Sequence, residues 1–104
     1  MNFQVEMLAF GNWGEIRNVE VPGNLVTDNT DEMLEYIFHY GQNDFQPVQH
    51  PSVSMGDIIR LQGKRYLVCD FGFRPLTPVE YSCYTRMAQR DRHISPLVHK
   101  ENAI

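Results

Sequence analysis

Three kinds of side chain in this sequence could do chemistry, and each is tested by its spacing. Asp57 and Asp70 lie on neighbouring segments of one patterned stretch, and two carboxylates converging in a pocket are the least that acid–base hydrolysis requires. Their setting also suits a plainer job, because Asp44 and Asp57 stand where an aspartate side chain caps a turn. Cys69 or Cys83 could pair with His39, His50, His93 or His99 as nucleophile and base. Nothing in the flanking sequence marks either thiol as an activated thiolate. The same residues lack the CxxC, HxH or HExxH spacing that presents two zinc ligands together. The sequence therefore implies no catalytic residue, metal or cofactor, and the expectation is a protein that is not an enzyme.

Binding chemistry has more behind it. Asp31, Glu32 and Glu35 form an acidic run suited to a basic protein surface, and Trp13 and Phe45 are loop aromatics that could anchor a partner. A loop tryptophan also serves to lid its own core. On the other side, Arg60, Lys64, Arg65, Tyr66 and Arg74 interleave with Phe71 and Phe73, and Arg86, Arg90 and Arg92 follow. That mixture can pair phosphates and stack bases, which makes nucleic acid the alternative partner to another protein. The net charge of −4 opposes it. Residues 1–50 carry eight acids against Arg17 alone, a formal −7, whereas residues 51–104 carry +3. If the two halves occupy different faces the molecule is electrically lopsided; if they interleave, the charges cancel.

These residues need a scaffold, and the 104-residue length suits one domain, 1–104, with a single core. No apolar run exceeds four residues, as at 7–10 and 66–69, against the roughly 20 that span a bilayer. With no basic, apolar leader either, no membrane association is expected and the location is cytoplasmic. Two well-separated cysteines fit reduced, buried thiols.

In order, residues 2–10 alternate as a strand with Phe3, Val5 and Met7 on one side and Gln4 and Glu6 on the other. Gly11 and Gly14 frame a hairpin loop, and 15–21 returns with Arg17 on the face of Val19 and Val21. Candidate N-caps at 27–30 precede a helix over 31–40 whose apolar stripe is Leu34, Ile37 and Phe38, with Gly41 as its stop. Residues 42–54 read as a long loop. A strand over 58–61, a Gln62–Gly63 turn and a strand over 65–71 make a second hairpin, apolar on both faces and therefore central. Gly72 between two phenylalanines suggests a corner. Thr77, Pro78 and Glu80 open a second helix over 78–92, with Val79, Cys83, Tyr84, Met87 and Ala88 as the expected buried stripe. Residues 94–104 read as a loose tail. The expected fold is α+β: two antiparallel hairpins in a sheet of about four strands, with two amphipathic helices on one face.

Residues 41–76 resemble the YodL-like family. The match lies in Gln42-Asn43-Asp44-Phe45-Gln46-Pro47, in Ser52-Val53-Ser54-Met55-Gly56-Asp57, in Tyr66 and Val68, and in Gly72-Phe73; Met55 departs from an expected valine. The resemblance implies no catalytic residue. It implies an accessory protein of a phage, plasmid or integrated element; with the acidic and aromatic residues above, the expected function is a small protein-interaction module, one concrete version of which inhibits a host factor.

Overall fold

The computed structural model describes residues 1–9, 15–42 and 52–91, with side chains through Met87. Five strands, β1 (Asn2–Glu6), β2 (Ile16–Glu20), β3 (Ile58–Leu61), β4 (Lys64–Val68) and β5 (Phe73–Leu76), form one sheet in the order β2-β1-β3-β4-β5. Every neighbouring pair is antiparallel. Helix α1 spans Thr30–Tyr40 and helix α2 spans Pro78–Asp91. Neither is long and apolar enough to cross a membrane.

The strand count exceeds the expected four because the phenylalanine–glycine corner is a reversal rather than a bend. Gly72 sits at φ +81°, and the Cys69 amide donates to its carbonyl at 2.9 Å. The strand expected to run to residue 71 thus ends at Val68, and Phe73–Leu76 folds back along it. Pro75 is tolerated because β5 is an edge. The Gln62–Gly63 turn joins β3 to β4 with both residues at positive φ, 52° and 78°, the geometry that matches strand twist in a two-residue hairpin.

The helices do not share a face. Paired residues point the same way, so Val5, Arg17, Ile59 and Tyr66 lie on one side of the sheet and Glu6, Ile58 and Leu67 on the other. Met33, Leu34 and Ile37 of α1 join the first side in a core with Val5, Val19, Val21, Val53, Ile59 and Val68. Tyr84 of α2 joins the second in a smaller core with Leu8, Ile58, Leu67 and Cys69. A hairpin apolar on both faces needs cover on both, because each of these side chains gains about 1.5–3 kcal/mol from leaving water. One layer of helices could not supply that.

The stripe of α2 is also rotated from expectation. Tyr84 is buried and Tyr81 half-buried, whereas Val79 is 72% exposed and Cys83 is exposed. Tyrosines win this side because each has a buried acceptor for its hydroxyl: Gly56 carbonyl oxygen at 2.7 Å for Tyr84 and Glu6 Oε1 at 2.7 Å for Tyr81.

Gly41 ends α1, but not through a left-handed residue, since its φ is −75°. A Cβ there would lie 2.5 Å from Val53 Cγ2, so the residue is glycine to let Val53 pack against the helix end. The Gly41 carbonyl accepts from Val53 N at 3.2 Å and from Arg17 Nη1 at 2.6 Å.

Candidate functional site

Asn29, one of the expected caps, starts α1 by accepting the Glu32 amide on its Oδ1 at 3.0 Å. Burying Met33, Leu34 and Ile37 fixes the rotation of the helix about its axis. Asp31, Glu32 and Glu35 are consequently exposed, on consecutive turns of the side away from the sheet. Asp28, also exposed, extends the acidic run past the helix start. Among the described residues, no ion pair of Asp31, Glu32 or Glu35 occurs. The structure therefore brings these three candidates together. Trp13 and Phe45, the other partner-binding candidates, lie outside the described residues.

The arginines of the central hairpin lie across the sheet, on the α2 side, and most of their charge is already engaged. Arg60 Nε and Arg65 Nε both donate to Glu6 Oε2, at 2.8 and 3.2 Å. Arg60 Nη1 also reaches Gln4 Oε1 at 3.0 Å, and the Arg65 guanidinium stacks 4.2 Å over the Tyr81 ring. Glu6 sits among them only 5% exposed. The hydrogen bond to Glu6 holds the Arg60 pKa above its ordinary value. Burial, and next the Glu6 hydrogen bond, raise that of Tyr81. Arg74 Nη2 pairs with Glu80 Oε2 at 2.9 Å.

Glu80 in turn closes the expected capping box, accepting from Thr77 N at 3.0 Å while its own amide donates to Thr77 Oγ1 at 3.1 Å. The Thr77 amide first, and Arg74 next, hold its carboxyl below the usual carboxylate range.

The remaining nucleic-acid candidates are dispersed. Tyr66 is half-buried in the α1-side core, across the sheet from Arg60 and Arg65. Lys64 is exposed beside the β3–β4 turn, Arg86 is exposed on α2, and the Arg90 side chain lies outside the described residues. Strand alternation thus separates Tyr66 and Phe73 from Arg60, Arg65 and Arg74, and of the cations of β3, β4 and β5 leaves only Lys64 on the side of Tyr66.

Asp57 and Asp70 hold different parts of the backbone. Asp57 is 1% exposed; its Oδ1 accepts from Leu8 N and Ala9 N, and its Oδ2 from Ser54 N, each at 2.9 Å. It locks the exit of β1 to the approach to β3. Burial pushes its carboxyl up to about 6, while the three amides and Arg17 pull it down. Asp70 Oδ1 accepts from Phe71 N at 3.0 Å within the β4–β5 turn. Of the thiols, Cys69 is buried and Cys83 exposed. Among the described residues no three His, Cys, Asp or Glu side chains gather as a metal site.

Alternation along the sequence placed Glu6 on the side opposite Phe3, Val5 and Met7 and gave it no partner. Its arginines arrive from 54 and 59 residues away and its tyrosine from 75, separations with no local signature. No family model, curated protein or solved structure matches the chain.

Proposed function

We propose that the chain is a small, non-enzymatic protein-interaction domain whose acidic α1 face receives a basic surface of another protein. The observation that carries this is the contrast between the two sides of the sheet: Asp31, Glu32 and Glu35 are exposed together, whereas Arg60, Arg65 and Arg74 are drawn into pairs with Glu6 and Glu80. A surface that leaves like charges uncompensated side by side pays in self-repulsion, and a cationic partner relieves it while speeding encounter. The resemblance of residues 41–76 to the YodL-like family supports an accessory protein of a phage, plasmid or integrated element, for which inhibition of a host factor is one concrete version of the interaction.

The test is affinity capture from a bacterial host with wild type and the triple reversal Asp31→Lys/Glu32→Lys/Glu35→Lys. The captured protein is then purified and titrated against both. A partner whose affinity falls at least about tenfold on reversal and weakens with salt supports the reading. A partner that binds both forms equally defeats it. Titration with single-stranded RNA and DNA at low salt tests the alternative, since phosphate contacts are strongest there.

A further inference from the structure

We draw no further inference here: the strongest candidate, the open cleft beside Val26 where β1, the segment entering α1 and the β3–β4 turn converge, is lined by one acid, Asp28, against the Arg60 guanidinium and the Met1 ammonium, and nothing in the structure shows what covers it.

Discussion

The Tyr81 hydroxyl donates to Glu6 Oε1 at 2.7 Å, joining the first strand to the last helix across 75 residues of chain. Because Arg60 and Arg65 converge on the other carboxylate oxygen, Glu6 is the point where β1, β3, β4 and α2 are tied together. Tyr81→Phe should cost about 1 kcal/mol by removing one hydrogen bond. Glu6→Gln should cost about 1–3 kcal/mol, since it replaces the charged hydrogen bonds of a buried carboxylate to two partly exposed guanidinium groups by those of a neutral amide. Urea unfolding of both single variants and the double variant checks this; a coupling energy of at least about 0.5 kcal/mol is expected.

Gly41 offers a prediction that helix propensity gets backwards. Alanine is normally the better helix residue, yet a methyl here would lie 2.5 Å from Val53 Cγ2 and 3.0 Å from the Ile37 carbonyl oxygen. Gly41→Ala should lower stability by about 1–3 kcal/mol through overpacking. Pairing it with Val53→Ala should recover part of that loss, a sign that denaturant midpoints of the single and double variants can read.

Asp57 sets a pH dependence of definite sign. Its carboxyl is raised from 3.8 to about 6 by burial, so the folded chain holds the proton more tightly than the unfolded chain does. The stabilising contribution is complete below about pH 4 and is lost as pH rises through 6. Between pH 7 and pH 5 the stability should increase by about 1 kcal/mol from this group. Asp57→Asn should be less stable throughout, because an amide nitrogen cannot accept the amide it would face, and should lack that increment. Urea midpoints at the two pH values measure both effects.

The thiols should differ sharply. Cys83 is exposed and Cys69 is 5% exposed, so a water-soluble disulfide reagent should label Cys83 rapidly in the native protein and Cys69 only after unfolding. Mass spectrometry of the labelled peptides distinguishes them. Cys83→Ser should alter stability by less than about 0.5 kcal/mol, the usual range for an exposed site.

Local rules carried the sequence reading far. A cap within residues 27–30, the Thr77–Glu80 box and the Gln62–Gly63 turn are each written in a few adjacent residues and each appears, with Asn29 taking the cap. Alternation in the first two strands put Arg17 on the face of Val19 and Val21, where the structure has it. The exposure of Asp31, Glu32 and Glu35 was legible for the same reason: a helix with one apolar stripe has only one side left for its acids.

What tertiary structure decided is everything that depends on meeting across the sheet. Apolar residues on both faces of the β3–β4 hairpin were visible in the sequence, but that α1 and α2 take opposite faces follows only from the strand order and register. The same register sends Tyr66 to one side and Arg60 and Arg65 to the other, undoing a basic–aromatic cluster that exists only along the chain. Glu6 and the cleft beside Val26 are assembled from segments far apart in sequence. Sequence spacing fixes which side of its own strand or helix a residue takes. Which distant residue shares that side is set by how strands pair, and pairing is a property of the whole sheet.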